Sequence, residues 1–257
     1  MPPTYKKAKH LEQLYYAIVQ LQMCNTYYEV TEVETQKKKL RLKTETSQLP
    51  EECVVKEKKL KKNNEVLRFI SGMIIQIDGK LYALTETQSL IHNIKGVNLI
   101  KLKFIVEYGE RKEIITLEFP YTELVETEMI IKEAYSMIDL TRLLNQKLQQ
   151  YNDIIIYYTD FQDPIITNEK FLTNKQMLAI HYMQLIEGEI VSPVIRASQL
   201  IHDQSTIFDL YRSPKEYYLM GSPVFIVENL SFRFIGFINQ FKESYLQFYH
   251  RDFITFS

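Results

Sequence analysis

Apolar side chains recur at Leu11, Leu14, Tyr15, Ile18 and Leu21, and Gln22 completes the i, i+3, i+4, i+7 spacing with one polar member. That pattern predicts an amphipathic helix from residue 6 to about residue 24, its apolar stripe laid against the rest of the protein or against a partner. Residues 25–65 have no such period. They hold two lysine-rich runs, at 37–43 and 56–62, and read as a polar, basic extension. From Val66 onward the texture changes to short runs of Val, Ile, Tyr and Phe, the residues that suit pleated, half-buried surfaces. Residues 73–77 lead through Asp78-Gly79 into residues 80–84, a strong hairpin signal. Further strands are predicted at 99–106, 112–119, 153–158, 187–191, 224–228 and 232–237, and helices at 141–151 and 242–250. The chain therefore divides into a helical and basic extension, 1–65, and a mostly all-β body, 66–257, of the kind that forms sandwiches or barrels.

Composition narrows this picture. A chain of 257 residues, 46% of them hydrophobic, can build one sizeable domain or two barrels sharing a core. The formal net charge of −1 exerts no global pull on nucleic acid or membrane. Residues 1–65 nevertheless hold 13 Lys/Arg against 9 Asp/Glu, and the remainder 18 against 23. The basic runs are thus the candidate contact for nucleic acid through its phosphates. Glu45, Glu51, Glu52 and Glu57 lie among them and favour a solvated face instead.

With 7 glycines and no Gly-x-Gly-x-x-Gly or Walker-type loop, the chain lacks the usual phosphate cradles. The five histidines are scattered and no Cys-x-x-Cys pair occurs, so neither a metal nor another cofactor is expected. Two cysteines, Cys24 and Cys53, are few for a secreted domain of this size. No signal-type stretch and no apolar run of roughly 18 residues is present. An intracellular protein, cytoplasmic or nuclear and without membrane contact, is the expectation. The pairs Tyr15-Tyr16, Tyr27-Tyr28, Tyr157-Tyr158 and Tyr217-Tyr218 supply the amphipathic surface that protein interfaces favour.

Three segments carry a resemblance. Met220-Gly221-Ser222-Pro223-Val224-Phe225, followed by Phe232-Arg233-Phe234-Ile235-Gly236-Phe237, resembles the nucleophile region of trypsin-like (chymotrypsin-fold) serine proteases, where Gly-Asp-Ser-Gly-Gly-Pro opens a strand. Ser71-Gly72-Met73-Ile74-Ile75 and Tyr82-Ala83-Leu84-Thr85 are similar to the strand pair that leads to the family's Leu-Thr-Ala-Ala-His. Ile138-Asp139-Leu140-Thr141-Arg142-Leu143 resembles the segment that carries the triad aspartate. The matches keep the family's His, Asp, Ser order and cover residues 66 to 257. The resemblance implies two antiparallel β-barrels, 66–140 and 141–257, with a cleft between them, behind an N-terminal helical and basic extension and with a short C-terminal helix.

Matched residue by residue, the family's histidine falls at Gln88, its aspartate at Asp139 and its nucleophile at Met220. A carboxamide accepts no proton at neutral pH, and a thioether forms no acyl intermediate. The oxyanion segment falls at Tyr218, Leu219 and Gly221, where tyrosine resists the backbone angles that glycine tolerates. A shifted pair, Ser222 with His92, is the alternative that would keep a divergent active endopeptidase. The family's geometry turns the Ser222 position away from the cleft. The resulting expectation is a pseudoprotease, not an enzyme, that binds a protein partner as an interaction or scaffold module. A nucleic-acid-associated protein using residues 37–62 is a further alternative.

Overall fold

The computed structural model describes residues 3–37, 53–87, 90, 95–131, 135–147, 153–160, 176–182, 185, 194–199, 207–209, 221–228, 231–242 and 245–250. They are mostly β. In chain order the elements of the larger sheet are β1 (Thr4–Lys7), α1 (Leu11–Tyr16), β2 (Ile18–Lys37), β3 (Cys53–Ile77), β4 (Lys80–Glu86), β5 (Leu99–Tyr108), β6 (Arg111–Pro120), β7 (Met129–Ile131), β8 (Tyr135–Asp139), α2 (Leu140–Lys147) and β9 (Ile154–Asp160). The smaller sheet holds β10 (Gln176–His181), β11 (Val194–Gln199), β12 (Ile207–Asp209), β13 (Pro223–Glu228), β14 (Ser231–Lys242) and β15 (Tyr245–His250).

Four strands of the larger sheet close on themselves. β9 pairs with β5, β5 with β2, β2 with β3, and β3 returns to β9. The result is a small closed barrel, with β1, β4, β6, β7 and β8 added to its strands. The smaller sheet runs in the order β11-β10-β13-β14-β15-β12.

Alternation along each barrel strand sends side chains into two different cores, because successive residues of a strand point to opposite faces. Val19, Leu21 and Met23 of β2, Ile70 and Ile74 of β3, Leu102 and Phe104 of β5, and Ile154 and Ile156 of β9 fill the barrel. Ile18, Met73, Ile75, Ile105 and Tyr157, from the intervening positions, meet Leu178, Ile180, Phe225, Phe234 and Phe237 of the smaller sheet. Phe234 stands edge-on to both Phe225 and Phe237, with ring centroids 5.9 and 5.0 Å apart. The outside of the barrel is thus the floor of a second core.

Several expectations meet the structure directly. The Asp78-Gly79 hairpin forms between β3 and β4, with both residues at positive φ, 48° and 78°, as a tight two-residue turn of that kind requires. Strands β5, β6, β9, β13 and β14 lie where the apolar runs place them. The strand expected at 187–191 lies outside the described residues. The helix expected over 6–24 is replaced by the short α1 and by β2. The apolar positions of a helix stripe end at Tyr16, and Ile18-Val19 open a strand whose seven residues to Cys24 are all buried. The boundary expected at residue 65 falls inside β3, Cys53–Ile77. The C-terminal helix expected over 242–250 is also corrected. Residues 245–250 form β15, pairing with β14 from Gly236↔His250 to Lys242↔Tyr245. A partner strand overrides a weak helical tendency in a run rich in Tyr and Phe.

All 20 residues of β2 pair with β3. Beyond Cys24 and Val66 the two strands leave the barrel as a two-stranded ribbon, about 40 Å long at 3.3 Å per residue. Asn98 braces its base, donating to the Thr26 carbonyl at 2.8 Å and accepting from the Thr26 N–H at 2.7 Å. The register puts Cys53 opposite Lys37, at the far end of the ribbon from Cys24, so the two cysteines do not pair with each other.

If β2 is a barrel strand, Leu21→Ala removes a fully buried side chain and lowers stability by about 2–5 kcal/mol. Tyr28→Ala, at a residue 65% exposed, changes stability by no more than about 0.5 kcal/mol. Urea unfolding of the two variants distinguishes the strand from a peripheral helix, for which the two losses would be alike.

Candidate functional site

The face that the barrel turns toward the smaller sheet carries buried polar side chains, which must bring their own partners. Gln20 is 1% exposed. Its Nε2 donates to the Tyr182 carbonyl at 2.9 Å, and its Oε1 accepts from the Leu185 N–H at 3.0 Å. Gln22 Nε2 donates to the same Oε1 at 3.0 Å. Lys103 Nζ donates to the Leu185 carbonyl at 2.7 Å, and the Tyr182 hydroxyl donates to the Tyr15 carbonyl at 2.7 Å. The chain that leaves β10 is therefore held by β2, β5 and the end of α1. Burial pushes the Tyr182 phenol far above its ordinary pKa, with the Tyr16 and Tyr15 phenols adding to the shift.

A second join lies at Gly221. Its φ is 74°, a left-handed conformation that favours glycine. A Cβ there would overlap the Ser71 carbonyl and lie 2.7 Å from Ile70 Cγ2 and 2.9 Å from Thr85 Oγ1. Ser71 and Thr85 are themselves linked, the Thr85 hydroxyl donating to the Ser71 carbonyl at 2.7 Å. The turn is pinned from its own side as well, by Gly221 N–H to the Ile238 carbonyl at 2.8 Å and Ile238 N–H to the Ser222 carbonyl at 3.0 Å. Gly72 is equally constrained, since a Cβ would lie 2.5 Å from the Leu84 carbonyl. Beside this join, Thr87 Oγ1 and Ser136 Oγ share a hydrogen bond of 3.0 Å, and Glu86 is fully buried. Burial pushes the Arg68 guanidinium below its ordinary pKa, against the pull of the Glu86 charge.

Of the positions singled out from sequence, Gln88, Met220, Tyr218, Leu219 and His92 lie outside the described residues. Asp139 is described, and it stands opposite Tyr82 in the β4/β8 pair. The Asp139 carboxylate accepts the Arg142 N–H at 3.2 Å, three residues ahead, and so caps the start of α2. Ser222 is fully buried, and among the described residues its Oγ has no hydrogen-bond partner.

The lysines of β3 lie in register with glutamates of β2, Lys61 opposite Glu29, Lys58 opposite Glu32 and Lys56 opposite Glu34. The ribbon, residues 25–37 and 53–65, carries six Lys against five Glu. Among the described residues no three His, Cys, Asp or Glu come together as a metal site would require, and no helix is long and apolar enough to cross a membrane. The described residues define a mostly β protein in which a closed four-stranded barrel shares a core with a six-stranded sheet. Neither family models nor curated proteins match the chain.

Gln20 and Tyr182 were not singled out from sequence, and Ser71 and Thr85 entered only as members of the strand-pair resemblance. The alternation Val19-Gln20-Leu21-Gln22-Met23 is a signal that could have marked Gln20 and Gln22 as strand positions.

Gly221→Ala is expected to cost about 2–5 kcal/mol, from a strained backbone and an overlap with Ser71 together. Asp139→Ala is expected to cost only about 1 kcal/mol, the loss of a helix cap. Thermal and urea unfolding of both variants measure the difference. Raising the pH favours the unfolded chain above its ordinary tyrosine pKa of 10.0, because Tyr182 holds its proton only when folded. Stability therefore falls as pH rises past 10, and Tyr182→Phe flattens that fall in unfolding measured across the alkaline range.

Proposed function

We propose that the chain is a trypsin-like double-barrel domain that has lost its hydrolytic residues and serves as a protein-interaction module. The observation that carries this reading is the contact of Gly221 with Ser71 and Thr85. Two segments far apart in sequence, each singled out by its own resemblance, pack into one another at the join of the two sheets. An inactive domain follows from residue chemistry. Gln88 and Met220 supply neither a general base nor an acyl-forming nucleophile. The one carboxylate of the supposed triad caps a helix, and Ser222 is sealed from solvent.

The binding role draws on the residue types that stand where the resemblance places chemistry. Met220, Tyr218 and Leu219 are apolar or amphipathic, and an extended peptide adding to a strand edge needs backbone hydrogen bonds and side-chain pockets rather than a catalytic group. Tyr27, Tyr28 and Tyr108 are exposed, and tyrosine is enriched where proteins meet.

A fluorophosphonate probe is expected to leave the full chain unlabelled, and fluorogenic peptides to remain uncleaved. Labelling at Ser222 that disappears in Ser222→Ala overturns the inactive assignment. A display library of extended peptides panned against the full chain is expected to yield binders that compete with one another and are lost in Met220→Arg. Failure to enrich any peptide removes the binding role.

A further inference from the structure

β1 is attached to the barrel almost wholly through its backbone. Among the described residues it pairs with β9 alone, in parallel, from Thr4↔Ile155 to Lys7↔Tyr158. The Ala8 N–H continues that ladder to the Tyr158 carbonyl at 2.8 Å. Parallel pairing is slightly the less stable kind per residue. No side chain from Pro3 to Lys9 is buried: Pro3, Tyr5 and Ala8 are half-buried, and Thr4, Lys6, Lys7 and Lys9 are exposed. Of the four β1 residues only Tyr5 packs against the barrel core, on the face it shares with its partner Ile156.

The elements on either side of this contact are anchored without it. In α1, Leu14 and Tyr16 are buried, Lys112 Nζ lies 2.5 Å from Glu12 Oε1 and 4.6 Å from the centre of the Tyr16 ring, and the Tyr15 carbonyl accepts from the Tyr182 hydroxyl. β9 is held by β5 at Ile154 and Ile155 and by β3 at Thr159 and Asp160, with Ile154, Ile156 and Tyr157 buried. The joint between β1 and α1 falls at Lys9 and His10. His10 is extended, with φ −124° and ψ 159°, and gives α1 no side-chain cap, while the Lys9 N–H to Gln13 Oε1 bond of 2.9 Å is exposed. β1 can therefore lift away by rotation at this joint while α1 and β9 keep their places.

We infer that β1 is the resident occupant of a strand-addition site, and that the β9 edge beneath it takes an extended segment of another protein in its place. The edge offers the main-chain groups of residues 155–158 to a strand running parallel to β9. The place of Tyr5 beside Ile156 selects an aromatic residue, and the neighbouring positions face water and accept polar or basic ones, as Thr4 and Lys6 show. While β1 is seated, no row of unpaired N–H and C=O groups is left open there. A partner competes with it, so its apparent affinity is reduced by the fraction of chains in which β1 is lifted. A second copy offers the same sequence, but only Ala8 and Lys9, a reach of roughly 7 Å, join its β1 to the α1 of its own barrel. An untethered segment meets no such restraint. This site uses none of the residues on which the peptide-binding reading above rests, and it stands or falls apart from that reading.

The probe is a fluorescein-labelled peptide of residues 3–9, Pro-Thr-Tyr-Lys-Lys-Ala-Lys, titrated with the full chain and followed by anisotropy. Tyr5→Ala loosens the resident strand and is expected to bind the peptide about tenfold more tightly than the unaltered chain, with an unchanged circular dichroism spectrum. A disulfide between Thr4→Cys and Ile155→Cys locks β1 down, abolishes binding when oxidised and restores it on reduction. On the unaltered chain, the amides within Ile155–Tyr158 are expected to exchange hydrogen at least about tenfold faster than those of Leu21 and Met23, and to slow when the peptide is added. No binding to Tyr5→Ala, undiminished binding to the locked chain, or equal exchange in the two strands overturns the inference. A disulfide that joins two copies instead of closing within one shows that β1 is exchanged between copies, and overturns the assignment to another protein.

Discussion

Burial of both faces of the barrel strands is the constraint on which the rest of this structure depends. A strand covered on one side can leave its other face to water. β2, β3, β5 and β9 have no such face where they form the barrel, because one set of side chains fills it and the other meets the smaller sheet. Polar groups on the shared face must therefore be satisfied inside. Gln20 does this with both ends of its amide, offering a donor to the Tyr182 carbonyl and an acceptor to the Leu185 N–H much as a neighbouring strand would. Leaving either backbone group unpaired there would cost about 1–3 kcal/mol. Glycine at 221 answers the same constraint by taking up no room where the Ser71 carbonyl passes.

Most of the strands were legible because their signals are local. Asp78-Gly79 specifies its turn without reference to anything distant, and β5, β6 and β9 are long runs of Val, Ile, Leu, Tyr and Phe. β2 was misread because two periods compete over the same residues. Leu11, Leu14, Tyr15, Ile18 and Leu21 fit a helix, while Val19-Gln20-Leu21-Gln22-Met23 fits a strand in which the polar Gln20 and Gln22 are buried as well. β15 failed for a related reason. Six residues near the chain end carry too little pattern to overcome an uncertain period, and their strand form depends on the long β14 beside them. The ribbon was hidden by its own charge, since the lysine-rich run at 56–62 resembles a polar linker until it is set against β2.

The candidate site was legible in chemistry and less so in geometry. That glutamine and methionine stand at positions 88 and 220 is a fact of the sequence and needs no coordinates. The place of Asp139 is a matter of register, which is fixed by pairing with Tyr82 and by the start of α2. The contact between Gly221 and Ser71 spans 150 residues of chain and had no local signal beyond the glycine itself.

The ribbon has a mechanical meaning. β2 and β3 pass from its far end into the barrel without a break in pairing, interrupted only by the register shift at Met23/Cys24. There is no linker at its root to absorb rotation. A pull or a twist applied at Lys37 and Cys53 is consequently passed along the backbone ladder into the barrel wall. The ribbon acts as a stiff lever rooted in the core.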